Sequence, residues 1–154
     1  MANSKKGRKK VPVETPKSIK VAYHINDKPF RWSFEKCLWK DSCWQDCESI
    51  QFFVEHIIFK LQDFETMKWQ EILDASGGKS EGHGNNSHWI KTGELSREAK
   101  GKILENKYLE DYEKIFSLRL SGKERLLGVV DLDMFFVLLY DAKHKIAPSK
   151  LKHT

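Results

Sequence analysis

The sequence lacks the features that mark several common protein classes. It has only three cysteines, Cys37, Cys43 and Cys47, an odd number that indicates a reducing compartment rather than a disulfide framework. No apolar run approaches the roughly 18 residues that a membrane span requires, and no apolar stretch follows the basic start. We therefore expect a soluble, cytoplasmic protein without structural disulfides.

The sequence also lacks the motifs of the commonest hydrolases and metal sites. It contains no Gly-x-Ser-x-Gly, no His-Glu-x-x-His and no aspartate-rich metal loop. The three cysteines are separated by five and three residues, unlike the paired Cys-x-x-Cys of zinc ribbons, so small buried side chains explain them more simply than a metal does. We expect no metal and no small-molecule cofactor.

The positive charge is concentrated at the start of the chain. The first 20 residues contain seven Lys or Arg side chains and one Glu, whereas the other 134 residues contain 20 basic and 21 acidic side chains. Apolar content in this segment is too low to form a core. We expect residues 1–20 to be a disordered basic arm, either solubilising or electrostatic towards RNA or DNA phosphates. Residues 21–147 should form a single α+β domain, and residues 148–154 a basic tail.

The apolar pattern of the first two thirds predicts helices. Apolar residues recur at i, i+3, i+4 and i+7 from about residue 47 to residue 64, which indicates an amphipathic helix. Thr66 is a candidate N-cap for a second, short helix that runs to Leu73. A polar, glycine-rich loop is expected over residues 76–88, and a third helix over residues 96–106.

The C-terminal quarter predicts a three-stranded antiparallel meander. Its strands cover residues 115–120, 125–130 and 134–140, and turn-forming residues join them. An earlier strand over residues 30–34 alternates apolar and polar side chains. Because helices precede the sheet, we expect an α+β fold with N-terminal helices packed on one face of a C-terminal antiparallel sheet.

Cationic side chains interrupt the apolar strands of the predicted meander. Arg119 and Arg125 lie on the first two strands with Lys123 between them, and His144 follows the last strand. A guanidinium on a strand is costly unless it meets solvent, a carboxylate or a phosphate. A three-residue loop would place the two arginines directly opposite each other, whereas a two- or four-residue loop would place them on opposite faces.

Two interpretations of this group are open. In one, the arginines are surface residues that pair with Glu110, Glu113 or Glu124, and His144 merely ends a strand. In the other, the group cleaves a phosphodiester without a metal, which requires a base, cations that neutralise the phosphorane, and an acid. The two arginines suit the cationic role, and His144 or Glu113 suits the proton transfers.

The stretch from Tyr108 to His144 resembles the RelE/ParE toxin superfamily, and within it the RelE- and YoeB-like ribonucleases of bacterial toxin–antitoxin pairs. In that family helices precede an antiparallel sheet. A strand of the type seen at residues 118–120 leads into a strand that begins Arg-aliphatic-aliphatic, as at residues 125–127, and His or Tyr follows the last strand. One departure from the family pattern is Gly128, which interrupts the second of these strands.

The resemblance implies a RelE-like fold and cleavage of mRNA on the ribosome, held off by a small antitoxin protein. It implies that Arg125 stabilises the phosphate, that His144 is the acid, and that Glu110 or Glu113 is the base. The side chains expected to contact RNA are those of Lys123, Lys143 and Lys145.

The chain also resembles a family of uncharacterised bacterial proteins, which carries no activity with it. The shared segments are residues 61–72, 117–122 and 141–154. Because this second resemblance implies no activity, a function other than catalysis stays open. The alternative to a ribonuclease is a non-catalytic RNA- or protein-binding module on the same fold.

Deletion of residues 1–20 is expected to leave the thermal midpoint of unfolding nearly unchanged, because this segment offers little apolar surface to the core. The deletion should weaken non-specific RNA binding, most strongly at low salt. Thermal unfolding and RNA titrations at two salt concentrations test both statements. A loss of several degrees would mean that the arm docks on the folded domain.

Overall fold

The computed structural model of the chain describes residues 24–75, 86–106 and 109–147. The basic arm and the basic tail expected at the two ends lie outside the described residues, as does most of the loop expected over residues 76–88. The described residues form a mixed α+β fold around one five-stranded sheet.

The strands are β1 (Arg31–Ser33), β2 (His88–Lys91), β3 (Lys114–Ser121), β4 (Glu124–Asp131) and β5 (Met134–Asp141). Their order across the sheet is β1-β5-β4-β3-β2, with β1 parallel to β5 and all other neighbours antiparallel. The predicted meander is confirmed as β3, β4 and β5, and the predicted early strand as β1. Strand β2 was not predicted, because it begins at the end of the glycine-rich polar stretch that the sequence analysis assigns to a loop.

The helical elements are α1 (Ile50–Phe53), a π-helical segment (Val54–Ile58), α2 (Phe59–Glu65), α3 (Trp69–Asp74) and α4 (Arg97–Leu104). The first three follow one another without a break and confirm the long helix that the apolar period predicts. A side-chain cap begins it, because the Ser49 hydroxyl accepts a hydrogen bond from the Phe52 N–H at 3.0 Å. No helix in the described ranges is long and apolar enough to cross a membrane.

The predicted N-cap role of Thr66 is wrong, whereas the helix predicted to begin at Ser96 is confirmed. Thr66 ends α2 instead, and its hydroxyl donates to the Asp63 carbonyl at 2.7 Å. Helix α3 begins three residues later, where the Lys68 N–H donates to the Glu71 carboxylate at 2.7 Å. At α4 the Ser96 hydroxyl accepts from the Ala99 N–H at 3.1 Å. A hydroxyl near an apolar run can cap either end of a helix, so sequence position alone did not separate the two cases.

Aromatic side chains fill the interface between the first face of the sheet and helix α3. The Trp69 ring lies 4.8 Å from that of Phe30 and 5.2 Å from that of Phe116, and all three are almost completely buried. Tyr140 extends the same face and stacks on Trp44 at 6.0 Å. Rings at these separations add roughly 0.5–1.5 kcal/mol per pair to the free energy of burial.

The second face of the sheet is apolar over most of its width. Ile115, Leu127 and Leu139 are fully buried there. Helix α4 contributes buried side chains to the same core and is anchored at both ends. The Ser96 hydroxyl donates to the Ile146 carbonyl at 2.8 Å, and the Lys102 ammonium contacts the Asp41 carboxylate at 2.9 Å. These contacts tie α4 to the segment that follows β5 and to the loop at Asp41. The mixed α+β fold is confirmed, and the packing of the helices on one face of the sheet stays a prediction.

Gly128 lies where β4 passes close to its neighbour. A Cβ atom at this position would stand 2.2 Å from the Phe136 carbonyl oxygen and 2.5 Å from the Phe135 ring. The pairing of β4 with β5 shifts register between Leu127 and Gly128, which brings the two backbones together. The strand thus continues through Gly128, and its lack of a side chain is what allows the shift.

Substitution of Gly128 by Ala is expected to destabilise the fold by about 1–3 kcal/mol, because backbone cannot move aside as a flexible side chain can. Urea unfolding monitored by tryptophan fluorescence measures the change. Gly101→Ala is the matched control, because a Cβ atom there would meet nothing within 4 Å among the described residues beyond its own helix, and alanine favours the helix by about 1 kcal/mol. Equal effects of the two substitutions would contradict the close approach at Gly128.

Candidate active site

The structure places Arg119 and Arg125 directly opposite each other, on the same face of the sheet. The turn between β3 and β4 is the two-residue segment Gly122–Lys123, which by itself would put the two arginines on opposite faces. The pairing is irregular between Arg119 and Ser121, and this one-residue bulge restores the shared face. The question of register that the sequence left open is therefore answered by the bulge.

Arg125 is a buried cation with 1% of its surface exposed. Its Nη1 donates to the carbonyl oxygens of Gly122 at 2.9 Å and Glu124 at 3.0 Å. Burial lowers its pKa, the charge of Arg119 lowers it further, and Asp141 on the next strand opposes both effects. Like charges that face each other across a strand pair repel, and the buried carboxylate of Asp141 offsets part of this repulsion. We call the region around Arg119, Arg125 and Asp141 the corner of the sheet.

Asp141 holds the segment that follows β5. Its carboxylate is 2% exposed and accepts three backbone hydrogen bonds, from Lys145 at 2.8 Å, Ile146 at 3.0 Å and Ala147 at 3.2 Å. The chain turns back between the carboxylate and these donors. His144 lies within this turn with a φ of 55°, in the left-handed region that few non-glycine residues adopt.

His144 lies beside the arginine pair, as expected from the sequence. Its Nε2 atom is buried and has no hydrogen-bond partner within the described part of the chain. Burial lowers its pKa most, and the charge of Arg125 lowers it further. Asp141 opposes these effects, and His88 and the Ala147 backbone make the smallest contributions, the first lowering and the second raising the pKa. The imidazole is thus mainly neutral at pH 7, which suits a proton acceptor rather than the acid that the resemblance implies.

Two further side chains complete this corner, and neither was expected there from the sequence. His88 on β2 is paired with Ser117 on β3, and two residues along β3 stands Arg119 on the same face. The Ser117 hydroxyl is fully buried, and no partner for it occurs among the described residues. Prediction of β2 would have revealed His88, because a period of two puts His88 and Ile90 on one face. Ser117 follows from the same period on β3, since it lies two residues before Arg119.

The three predicted RNA-contacting lysines surround this corner. Lys123 lies in the β3–β4 turn, and Lys143 and Lys145 flank His144. All three are exposed, so their ammonium groups can reach a polyanion beyond the buried arginine. The observed corner therefore has a buried cationic centre and an exposed cationic rim.

The structure does not bring Glu113 to this corner. It is exposed and precedes β3, six residues from Arg119, which corresponds to roughly 20 Å along a strand. It lines instead a cleft of about 600 Å³ at the other end of the sheet, together with Trp89 and Tyr112. Glu110, the other base that the resemblance implies, is also exposed and lies earlier still in the chain. The carboxylate of Glu113 is therefore too far along the sheet to contact a group bound between the arginines.

The cysteines do not form a metal centre in the described residues, where no group of three or more His, Cys, Asp or Glu side chains could hold an ion. Burial raises the pKa of the Cys37 and Cys43 thiols to about 12 and that of Cys47 to about 11. These thiols stay protonated at neutral pH, and a protonated thiol is a poor metal ligand. A metal-free protein stays a prediction.

Substitution of Asp141 by Asn is expected to destabilise the fold by about 2–4 kcal/mol, because the amide cannot replace a carboxylate that accepts three N–H groups beside a buried arginine. Urea unfolding measures the loss. Asp131→Asn is the matched control, since Asp131 is exposed at the far end of β4 and should change stability by less than about 0.5 kcal/mol. Similar small effects at both positions would mean that Asp141 does not anchor the turn.

Comparison of the chain with protein-family models, with curated proteins and with solved structures found no match.

Proposed function

We propose that this chain is a RelE-like bacterial toxin that cleaves mRNA without a metal, in the manner of an endoribonuclease. The observation that supports it is the pair of arginines, Arg119 and Arg125, which face each other across two strands with His144 beside them. Two cations in this arrangement suit a phosphodiester that gains negative charge in the transition state. The RelE-like arrangement of sheet and helices is part of the proposal.

In the proposed reaction the arginines hold the scissile phosphate and stabilise the phosphorane. Arg125 is fixed by two backbone carbonyls, so its guanidinium needs little reorganisation when charge develops. The Arg119 backbone N–H donates to the Ser87 hydroxyl at 2.9 Å, which fixes the strand next to it. His144, mainly neutral, takes the proton of the attacking 2′-hydroxyl.

The proposed partners follow from the same surface. The exposed side chains of Lys123, Lys143 and Lys145 are positioned to contact the RNA backbone on either side of the cleaved bond. Such a rim also fits the ribosomal RNA that would surround an mRNA during translation. A small antitoxin that carries acidic side chains would neutralise the rim and block the corner.

One observation favours the second candidate, a non-catalytic RNA- or protein-binding module. Arg125 donates to the two carbonyls of its own hairpin and is almost completely buried, which also fits a structural role in the β3–β4 turn. In that case the exposed lysines would bind a polyanion and no bond would be cleaved. The two candidates therefore differ in turnover and not in affinity.

Arg119→Ala and Arg125→Lys are each expected to reduce mRNA cleavage by about 10² or more, because the guanidinium acts mainly in the transition state and an ammonium cannot make its planar two-pronged contact. Cleavage on translating ribosomes and growth arrest after induced expression are the measurements. Arg31→Ala is the matched control, since it removes an exposed strand arginine from the opposite edge of the sheet.

Circular dichroism and thermal unfolding establish that each variant is folded before activities are compared. A wild-type protein that neither arrests growth nor cleaves RNA on translating ribosomes would refute the enzyme and leave the binding module. A toxic protein whose folded Arg119 and Arg125 variants are equally toxic would place the chemistry elsewhere.

A further inference from the structure

We propose that His88 is the second proton-transfer residue of this corner and protonates the leaving 5′-oxygen. The inference rests on the proposed ribonuclease function and adds to it a residue that donates a proton to the leaving group. Cleavage of an RNA phosphodiester needs one group that accepts a proton and one that donates it. Glu113, which was expected to fill one of these roles, lies at the other end of the sheet, whereas a second imidazole lies within the corner.

The position of His88 on the sheet is fixed by strand pairing. His88 stands directly opposite Ser117 on β3, and Arg119 is the next residue along β3 on the same face. Diagonal neighbours of this kind are roughly 7–8 Å apart, a distance that a bridging phosphate can span. His88 is also close enough to His144 for its charge to lower the pKa of that residue. The two imidazoles thus belong to one electrostatic environment, on β2 and just after β5 at either side of the arginine pair.

The hydrogen bond of His88 determines which of its nitrogens can react. Its Nδ1 lies 2.6 Å from the Asn86 carbonyl oxygen. A carbonyl only accepts, so Nδ1 carries a hydrogen in both protonation states and Nε2 is the nitrogen that exchanges a proton. This hydrogen bond is kept when the ring becomes an imidazolium, which is the form that an acid requires.

His144 has different surroundings, which separates the two roles. Its Nε2 is buried and lacks a partner in the described part of the chain, and its pKa is lowered, so we assign it the accepting role. The donating role then falls to Nε2 of His88, whose Nδ1 is held by the Asn86 carbonyl. The charged groups that face the pair are the guanidinium groups of Arg119 and Arg125 and the carboxylate of Asp141. A bound phosphodiester adds one negative charge to this group of side chains.

The proposed step balances without any further reactant. His144 Nε2 takes the proton of the 2′-hydroxyl, and the 2′-oxygen forms a bond to phosphorus. The bond from phosphorus to the 5′-oxygen breaks, and that oxygen takes the proton of His88 Nε2. The products are a 2′,3′-cyclic phosphate and a 5′-hydroxyl. Exchange of one proton from His144 and one to His88 with water restores the starting state.

The test compares two mRNA substrates that differ by one atom at a cleavage site first mapped with the wild-type protein. One carries the natural bridging 5′-oxygen and the other a bridging 5′-sulfur, which leaves as a thiolate and needs no acid. His88→Gln should slow cleavage of the oxygen substrate by about 10² or more and leave the sulfur substrate near the wild-type rate. His144→Asn, chosen because Asn tolerates the left-handed conformation, should slow both.

His24→Gln is the matched control, because His24 is exposed and lines the cleft at the other end of the sheet. The inference is overturned if folded His88→Gln cleaves the oxygen substrate at the wild-type rate. It is also overturned if His88→Gln slows both substrates equally, since a merely structural role would do so. A wild-type protein that cleaves neither substrate refutes the proposed function and this inference together, whereas the first two results leave the proposed function intact.

Discussion

The buried carboxylate of Asp141 is the interaction on which the candidate site depends. It stands next to Arg125 across β4 and β5, and it accepts the backbone N–H groups of Lys145, Ile146 and Ala147. One side chain therefore offsets part of the charge of a buried guanidinium and closes the turn that carries His144. Buried charges persist in proteins when they are compensated and hydrogen-bonded, and here both conditions meet in one residue.

Two departures from regular strand pairing shape the sheet around β4. The bulge between Arg119 and Ser121 brings two like charges onto one face, and the shift at Gly128 lets β4 and β5 keep contact beyond it. The first departure adds repulsion between the two guanidinium groups. Strain and repulsion that the surrounding fold tolerates are common where a protein binds or transforms a ligand.

The sequence predicted those parts of the fold that periodicity controls. The period of 3.6 from about residue 47 to residue 64 and the three apolar runs of the meander correspond to observed elements, because each buries one face or both. Strand β2 was not predicted, because it has only four residues and follows a polar stretch. For the same reason the sequence did not place His88 near the arginines. The register of Arg119 against Arg125 could not be predicted either, since a bulge depends on backbone contacts that the order of residues does not reveal.

Glu124, the carboxylate nearest to Arg125 in sequence, lies on the face of β4 opposite to the arginine pair. Glu124 points to the opposite face, where it accepts hydrogen bonds from the Tyr140 hydroxyl at 2.9 Å and the Ser121 hydroxyl at 2.7 Å. His56 of the π-helical segment approaches the same carboxylate at 3.6 Å. Because side chains alternate along β4, the Glu124 carboxylate lies on the face that the helix covers, and the Arg125 guanidinium lies on the other face with Asp141. The hydrogen bonds of Glu124 thus hold its carboxylate on the other face, away from the side on which the Asp141 carboxylate stands opposite Arg125.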